Sequence, residues 1–300
     1  MEAGRMSLKK AAVTGAAGFL GVALLNELVE SGIETVALCR PNSRSRARLS
    51  SLKYVTVVEV DLYDTTAIAR NAVGADVFFH LAWGGGGRND FYEQYLNVGI
   101  AVNCLKAAAD AGCKRFVCTG SQAEYGETAE MITEETQLKP VTAYGACKVA
   151  AYYLTANLAV KMGIQHTWAR VFSAYGPNDS PHTLVMSLLR DLTQRGTAAL
   201  NTDGQHVWNF IYKRDAARAL RLLGERDGAE GIYNVAGRRS EPLRVFVEEI
   251  RENINPDAHI VYGAERCDLN LNASTEKLLG AIGAFETMTF NDGVREIIKF

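Results

Sequence analysis

A strand that turns through glycines into a helix is the feature that most constrains the fold of this chain. KKAAVTGAAGFLGVALLNELVESG opens with small and β-branched residues, turns at Gly15, Gly18 and Gly21, and continues at helical spacing up to Gly32. Such glycines let backbone N–H groups approach a pyrophosphate at a helix N-terminus. The pattern is a variant of G-x-G-x-x-G, and a tight turn with close helix packing would also explain it. Its position in the first strand–helix unit favours dinucleotide binding.

Strands and helices alternate after this turn. The strand at ADVFFHLAW is apolar nearly throughout, as expected for a strand buried on both faces of a sheet. The alternation predicts an α/β fold, a Rossmann-type doubly wound parallel sheet with right-handed crossovers and a smaller C-terminal substrate-binding lobe. Further predicted strands are IETVALCR, KYVTVVEVDL, CKRFVCTGS and IQHTWARVFSAYG.

The regular alternation of strands and helices ends after Pro177, and this change sets the predicted domain boundaries. We expect a dinucleotide-binding domain over residues 1–176 plus about 205–236, and a substrate-binding lobe over 177–204 and 237–300. HVWNFIYKRDAARALRLLG, near the return to the first domain, has a strand-like pattern.

Charge and cysteine usage exclude several classes of protein. Lys and Arg number 32 and Asp and Glu 34, a formal net charge of −2, whereas a general nucleic-acid binder carries a basic surplus. No apolar run reaches the roughly eighteen residues of a membrane span, and MEAGRMSLKK lacks the apolar core of a signal peptide. The six cysteines show no pairing or metal-ligand spacing. We therefore expect a cytoplasmic protein with free thiols, no metal site, and no nucleic-acid or membrane partner.

The end of the second predicted strand indicates the choice of cofactor. NAD-binding folds commonly place Asp or Glu there, to bind the ribose 2′-hydroxyl. This chain reads LCRPNSRSR, with Arg40 and Ser43 where a 2′-phosphate would lie. An arginine can bind that phosphate bidentately, whereas a carboxylate would repel it. We predict NADP(H), with NAD(H) as second choice; a solvated basic loop is the other explanation and suits Arg46 and Arg48.

YGACK places Tyr144 and Lys148 four residues apart, on one face of a helix. A phenol ordinarily titrates near pH 10, so proton transfer at neutral pH needs the help of a nearby cation. Lys148 would supply that cation and could also bind the nicotinamide ribose, while Tyr144 delivers a proton to a carbonyl oxygen. Alone, the spacing occurs by chance in many helices.

Many further segments resemble the extended short-chain dehydrogenases/reductases, the group of nucleotide-sugar epimerases, dehydratases and ketoreductases. The resemblance covers almost the whole chain and includes TGAAGFLG, VDL, HLAW, TGSQAEYG, YGACK and ARVFSAYGPND in the family's order. It implies that Ser121, Tyr144 and Lys148 form a catalytic triad. Asn97 matches a recurrent family asparagine, for which a helix-to-backbone hydrogen bond is the other explanation. Together with Tyr144 and Lys148, the implied cofactor-binding residues are Gly15, Ala17, Gly18, Phe19, Leu20, Arg40, Ser43, Asp61, Leu62, Leu81, Ala82, Trp83 and Phe172.

Departures from the family pattern narrow the range of reactions that the chain could catalyse. Gln122 and Ala123 stand where the similar 4,6-dehydratases carry an Asp-Glu pair, which argues against dehydration. Trp208 stands where an arginine often binds the substrate pyrophosphate. Candidate diphosphate ligands are therefore Arg170, Arg214 and Arg238. The predicted substrate-binding residues are Trp83, Ser121, Gln122, Ser173 and Arg214.

HLAWGGGGRNDF resembles sequences of bacterial 4-ketoreductases for nucleotide-linked deoxysugars. We expect Gly84 to Gly87 to form a mobile loop beside the nicotinamide, with Trp83 either stacking on a ligand or filling the loop. The predicted activity is NADPH-dependent reduction of a nucleotide-linked 4-keto-6-deoxy sugar. Alternatives are an NAD-dependent nucleotide-sugar 4-epimerase, a non-catalytic NADP-binding sensor, and reduction of a non-sugar carbonyl. By the resemblance, a homodimer would pair through the helices that carry Asn97 and Tyr144.

Overall fold

The computed structural model describes residues 7–50, 52–85, 87–265, 267 and 269–300. Its central element is a seven-stranded parallel sheet in the order β3-β2-β1-β4-β5-β6-β11, which confirms the predicted fold class. These strands are β1 (Lys10–Thr14), β2 (Glu34–Cys39), β3 (Val55–Glu59), β4 (Val77–His80), β5 (Arg115–Ser121), β6 (Gln165–Val171) and β11 (Gly231–Val235). Short pairs outside the sheet are β7 (Ala174–Tyr175) with β10 (Ile211–Tyr212), β9 (Val207–Asn209) with β12 (Ser240–Pro242), and β8 (Thr197–Thr202) with β13 (His259–Glu265).

Helices cover both faces of the sheet because alternate strand residues point to opposite sides. Ala11 and Val13 of β1 belong to one buried cluster, with α1 and α6, whereas Ala12 belongs to the cluster with α2, α3 and α4. The helices are α1 (Phe19–Glu30), α2 (Thr65–Ala72), α3 (Phe91–Asp110), α4 (Ala143–Met162), α5 (Leu184–Arg195), α6 (Lys213–Glu225), α7 (Leu243–Ile254), α8 (Glu276–Ile282) and α9 (Phe290–Lys299).

A third buried cluster lies outside the sheet. It joins α5, α7 and α9 to β8 and to aromatic residues at the ends of β7 and β10, with Phe246 and Phe290 at its centre. Tyr175 and Tyr212, which lie in the segments assigned to the dinucleotide domain, also pack here. The division at residue 176 stays a prediction.

The strand-like interpretation of residues 206–224 is only partly correct. Val207–Asn209 and Ile211–Tyr212 are strands, but Lys213–Glu225 is the helix α6. Its alanines and leucines repeat at helical spacing and bury one face against α1, which overrides the β-branched and aromatic start of the segment.

Within the part of the chain that the structure describes, no helix is long and apolar enough to cross a membrane. Those same residues contain no group of three or more His, Cys, Asp or Glu side chains arranged to hold a metal ion.

Candidate active site

The turn between β1 and α1 and the first part of that helix require glycine at two positions. Gly15 has a φ of +68°, and a Cβ there would lie 2.6 Å from the backbone nitrogen of Ala82. A Cβ on Gly21 would collide with the carbonyl oxygen of Gly15. Gly18 is the cap of α1 and has no side chain to occupy the first helical N–H groups. The turn therefore leaves a backbone-lined cradle at the start of α1, where an anionic group can bind.

A cavity of about 370 Å³ opens over this turn. We call it the α1 cavity. Nine of the predicted cofactor-binding residues line it: Gly15, Ala17, Gly18, Arg40, Ser43, Leu62, Leu81, Ala82 and Trp83.

Six other predicted cofactor-binding residues are not on this lining: Tyr144 and Lys148, described below, and Phe19, Leu20, Asp61 and Phe172. Phe19 and Leu20 lie in the first turn of α1, and Asp61 accepts a hydrogen bond from the backbone nitrogen of Tyr63 (3.0 Å). Phe172 is fully buried, with its ring 6.2 Å from that of Tyr125. The structure does not bring Phe172 to the cavity, because its side chain turns to the other side of the strand end, into a small core.

The end of β2 carries Arg40, whose side chain forms no ion pair with the residues that the structure describes. Arg40 is exposed and lines the α1 cavity beside Ser43, whose backbone N–H donates to the Arg40 carbonyl (3.3 Å). Arg46 instead pairs with Glu59 (2.6 Å), outside the cavity. Among the described lining residues, the one acidic side chain is Glu93, on α3 near Gly85. A group bound at the β2 end therefore meets positive rather than negative charge.

Tyr144 and Lys148 lie in the first two turns of α4, as the spacing predicts. Thr142 caps the helix by accepting from the Gly145 backbone (3.1 Å), and the backbone N–H of Tyr144 donates to the carbonyl of Arg88 (2.8 Å). Lys148 is only 2% exposed. Its Nζ donates to the Thr119 carbonyl at the end of β5 (2.6 Å) and lies 5.8 Å from the Tyr144 ring centre. The two side chains therefore act in one small volume.

Trp83 covers Lys148. The ammonium lies 3.8 Å from the centre of the indole, and the Tyr144 ring meets the same indole edge-on, with centroids 6.0 Å apart. The indole Nε1 donates to Gln94 Oε1 (2.7 Å). Trp83 is thus held on three sides by charged, aromatic and amide groups.

Ser121 is fixed by a 3₁₀ turn at Gln122–Glu124. Its Oγ accepts from the Ala123 backbone (3.2 Å), and its own N–H donates to Glu124 Oε1 (2.8 Å). Glu124 is fully buried and also binds Arg170 (2.7 Å). Glu124 is not among the predicted site residues, because no local motif marks the 3₁₀ turn. The turn carries the carboxylate inward, beneath Ser121.

His80, at the end of β4, is a buried neutral neighbour of the site. Its Nδ1 lies 2.8 Å from Thr14 Oγ1. Burial and, second, the charge of Lys148 lower the pKa of His80 to about 3. Lys148 is therefore not opposed by a second positive charge from this histidine at neutral pH.

A second cavity, of about 590 Å³, adjoins the first. We call it the Tyr144 cavity. Gln122 and Ser173 meet in its wall, where Gln122 Oε1 accepts from the Ser173 backbone (2.7 Å) and its Nε2 donates to the Ser173 hydroxyl (3.4 Å). Its lining includes the predicted residues Trp83, Ser121, Gln122, Tyr144 and Ser173, together with Arg88, Asp179, His182, Trp208 and Phe210.

Of these, Arg88, Asp179, His182 and Phe210 were not predicted. They come from loops whose position depends on packing against distant segments, and no local motif marks them. Burial raises the pKa of Asp179, although its carboxylate accepts from Thr183 Oγ1 (2.9 Å).

The three arginines considered for a substrate diphosphate are all engaged elsewhere. Arg170 is buried beneath the sheet end with Glu124, and Arg238 lies near Glu286 (3.9 Å). Arg214 lies on the outer side of α6, with its Nε 3.1 Å from Glu27 Oε1. The structure does not bring Arg214 to the site, since the first turn of α6 faces α1. Trp208, where the family pattern has an arginine, does line the Tyr144 cavity.

Asn97 closes the glycine loop onto α3. Its Oδ1 accepts from the Gly84 backbone (2.7 Å) and its Nδ2 donates to the Gly84 carbonyl (3.0 Å). The simple helix-to-backbone explanation for Asn97 is confirmed. Gly86, within the segment expected to be a mobile loop, lies outside the described residues.

Comparison with known proteins agrees with this geometry. A Bacillus subtilis protein described as the uncharacterized UDP-glucose epimerase YtcB is 29% identical over 263 residues, covering 80% of this chain and 82% of that protein. An Arabidopsis thaliana trifunctional UDP-glucose 4,6-dehydratase, 3,5-epimerase and UDP-4-keto-L-rhamnose reductase, RHM1, is 24% identical across 97% of this chain, which spans 47% of that larger protein. Among solved structures, MoeE5 in complex with UDP-glucuronic acid and NAD matches with a TM-score of 0.83 and 25% identity, over 97% of this chain and 98% of that one.

The sequence model of the NAD dependent epimerase/dehydratase family matches residues 11–236, which is most of the chain and includes both cavities' central residues. This match confirms the resemblance to the extended short-chain dehydrogenases/reductases. The chain belongs to the NAD-dependent epimerase/dehydratase family and is an enzyme of the NAD(P)-dependent oxidoreductase type.

Proposed function

We propose that this enzyme uses NADPH to reduce a keto group on a nucleotide-linked 4-keto-6-deoxy sugar. The observation that carries the cofactor part is the β2 end, where Arg40 and Ser43 line the α1 cavity and the described lining residues at that end include no carboxylate; the neighbouring Glu59 lies outside the lining and pairs with Arg46. An arginine there stabilises a 2′-phosphate, whereas an acidic residue would favour the free hydroxyl of NAD.

The α1 cavity fits a dinucleotide. Gly15 and Gly18 line it, and Gly18, the cap of α1, has no side chain over the first helical N–H groups, where a pyrophosphate can bind. Gly15, Ala17 and Gly18 would hold that group, Arg40 the 2′-phosphate, and Lys148 the nicotinamide ribose. When bound, the cofactor supplies the hydride.

The chain's own residues supply the proton and the orientation. Tyr144 would donate its phenolic proton to the substrate oxygen, and Ser121 would hold that oxygen through its hydroxyl. Lys148, buried and positively charged, would stabilise the phenolate that remains. The Glu124 carboxylate keeps the Ser121 backbone in place.

Gln122 and Ala123 support reduction over dehydration. Neither side chain can remove or add a proton, and Gln122 is already bonded to Ser173. Glu124, the nearest carboxylate in sequence, is buried with Arg170 and away from the cavity lining. A ketone would therefore be reduced without the elimination that a dehydratase performs.

The similar proteins favour a second candidate, an NAD-dependent nucleotide-sugar 4-epimerase. Besides YtcB, a UDP-glucose 4-epimerase of Streptomyces lividans is 27% identical over 80% of this chain and 79% of that protein. The same Ser121, Tyr144 and Lys148 would serve an epimerase, which oxidises and re-reduces its substrate and so tends to retain its nicotinamide.

The test begins with identification of any nucleotide that purifies with the protein. Binding of NADPH, NADP, NADH and NAD is then measured for wild type, Arg40→Ala and Arg46→Ala. Arg46 is the matched control, because it lies in the same loop but pairs with Glu59. We expect NADPH preference that falls at least tenfold in Arg40→Ala and is unchanged in Arg46→Ala.

NADPH oxidation with nucleotide-linked 4-keto-6-deoxy sugars would follow. Retained NAD with interconversion of UDP-glucose and UDP-galactose would overturn the reductase in favour of the epimerase. Turnover of simple ketones but not of sugar nucleotides would overturn the substrate part of the proposal and leave the cofactor part standing. This outcome is tested because Trp208 stands where a cation would bind a substrate pyrophosphate. Cofactor binding without turnover of any substrate would support the sensor.

We also propose that the enzyme is a homodimer that pairs through α3 and α4. The outer faces of these helices expose large apolar side chains, which rarely form contiguous patches on monomers. They are Phe91, Tyr92, Tyr95, Tyr153, Leu154 and Val160. Light scattering should give twice the chain mass, and Leu154→Asp should halve it. A cytoplasmic location stays a prediction.

A further inference from the structure

Trp83 forms the wall between the two cavities. It lines both the α1 cavity and the Tyr144 cavity, together with Gly84 and Gly85. A hydride can pass only between atoms that approach to about 3–3.5 Å. If the cofactor binds in the α1 cavity and the substrate in the Tyr144 cavity, an indole between them would keep the reacting groups apart.

The same indole satisfies a buried charge. The Lys148 ammonium donates to the Thr119 carbonyl and faces the Trp83 ring at 3.8 Å. Among the described residues, no carboxylate lies within ion-pair distance of Lys148. A cation over an aromatic face is strongly favoured where water is excluded. Trp83 therefore holds the side of Lys148 from which a ribose hydroxyl would bind.

Gln94 sets the orientation of the indole. It is 3% exposed, accepts from Trp83 Nε1 (2.7 Å), and donates through Nε2 to the Gly87 carbonyl (3.3 Å). Next to the indole, the chain continues through Gly84 and Gly85, and Gly85 has a φ of +107°. The ring is thus held by one side-chain hydrogen bond, one cation contact and the edge-on contact with Tyr144, and it is followed by two residues without side chains.

We propose that Trp83 is a displaceable positioning residue for Lys148. Its indole keeps the ammonium in place and separates the cavities, and the nicotinamide riboside half of the cofactor replaces it on the same side of Lys148. This inference rests on the proposed function. It implies that only the nicotinamide riboside half of the cofactor displaces Trp83, because the adenosine half binds at the β2 end, away from Trp83.

The test uses ¹⁹F NMR of the full chain labelled with 5-fluorotryptophan. The three resonances are assigned with Trp83→Phe, Trp168→Phe and Trp208→Phe. We expect saturating NADP to shift the Trp83 resonance, and adenosine 2′,5′-bisphosphate, which lacks the nicotinamide riboside, to leave it unchanged. If the enzyme prefers NAD, the matching pair is NAD and ADP.

Affinity provides a second readout. Removing the indole removes the contact that the cofactor has to displace, so Trp83→Ala should bind NADP three- to tenfold more tightly than wild type. Its affinity for adenosine 2′,5′-bisphosphate should be unchanged. Trp208→Phe is the matched control, because Trp208 lines only the Tyr144 cavity, and it should leave both affinities unchanged. Where Trp83→Ala does not fold, Trp83→Phe should show the same direction with a smaller change.

Two results would overturn the inference while leaving the proposed function intact: NADP binding with an unmoved Trp83 resonance, or weaker NADP binding by Trp83→Ala, as expected if the indole stacks on the nicotinamide. Failure of both dinucleotides to bind to the wild-type protein would overturn the proposed function and the inference together.

Discussion

The two cavities that meet at Trp83 are lined by different kinds of segment. The α1 cavity lies over the glycine turn before α1 and the carboxyl ends of β1, β2 and β4, with residues of α3 on one side. The Tyr144 cavity is formed by side chains from several distant segments, among them Ser173, His182 and Trp208. A backbone cradle depends on local glycine positions, whereas a side-chain cavity depends on how remote segments pack.

This difference predicts which of the two cavities accepts substitutions without loss of the fold. Replacing a cradle glycine would introduce a Cβ into backbone that cannot move. Replacing a residue of the Tyr144 cavity alters shape and charge without disturbing the sheet. Four predictions test the comparison, from the largest expected effect to the smallest.

Tyr144→Phe should separate chemistry from binding. Loss of a general acid lowers kcat about 10²–10⁴-fold, while NADPH affinity should stay within about twofold because Tyr144 lines only the other cavity. Lys148→Met, by comparison, should lose both, since Lys148 lies at the junction beneath Trp83. Stopped-flow reduction and equilibrium binding measure the two quantities. Equal losses of binding in both variants would contradict the assignment of Tyr144 to the Tyr144 cavity.

The same contrast sets what the sequence could predict. The parallel sheet, the glycine turn and the Tyr144–Lys148 pair follow from periodicity, glycine spacing and i,i+4 geometry, and the structure places each where expected. Glu124 and Asp179 could not be placed in this way. Their positions follow from a 3₁₀ turn and from loops whose geometry is fixed by long-range packing.

Residues 213–225 show a related limit. Tyr212 and the residues before it have high strand propensity, and the strand-like interpretation extended that signal too far. The arginine–alanine–leucine spacing beyond it is helical, and burial against α1 selects the helix.

Gly15→Ala tests the rigidity of the cradle. The φ of +68° alone costs an alanine about 1–2 kcal/mol, and the Cβ would also collide with the Ala82 backbone at 2.6 Å. Gly32→Ala is the matched control, since Gly32 also has a positive φ (+74°) but nothing lies within 4 Å of its Cβ.

We expect Gly15→Ala to lower the free energy of unfolding by up to about 3 kcal/mol and to abolish measurable cofactor binding. Gly32→Ala should lose about 1 kcal/mol and bind normally. Urea unfolding and calorimetry measure both, and equal effects at the two glycines would mean that strain, not the collision, sets the loss.

Acid should lower the free energy of unfolding, because two histidines of the central sheet are buried in the folded protein. Burial lowers the pKa of His80 to about 3 and that of His166 to about 4, against an ordinary value of 6.5. Between pH 6.5 and the lowered pKa of each histidine, the unfolded chain binds a proton there that the folded chain does not. Stability is therefore complete above about pH 6.5 and falls as the pH decreases, by at most about 1.4 kcal/mol per pH unit for each histidine.

Urea unfolding at pH 7, 6 and 5 measures this slope. His166→Gln should remove up to one histidine's share of the slope while keeping a polar partner for Thr155 Oγ1, which lies 2.9 Å from His166 Nε2. Asp179 acts in the opposite direction, because burial raises its pKa and its share of stability is lost as the pH rises. An unchanged slope in His166→Gln would mean that His166 is charged or exposed in the folded protein.

Arg214→Ala should have the smallest effect, although Arg214 is a predicted substrate ligand because Trp208 replaces the arginine of the family pattern. Its side chain is 47% exposed and pairs with Glu27 and Glu30 on α1. Exposed ion pairs contribute about 0.2–1 kcal/mol, and Glu27 keeps Arg218 at 3.3 Å when Arg214 is removed. We expect a loss of at most about 1 kcal/mol in the free energy of unfolding, with KM for the substrate unchanged. A KM increase of tenfold or more would show that Arg214 leaves Glu27 to bind substrate, and that the Tyr144 cavity recruits cations from beyond its lining.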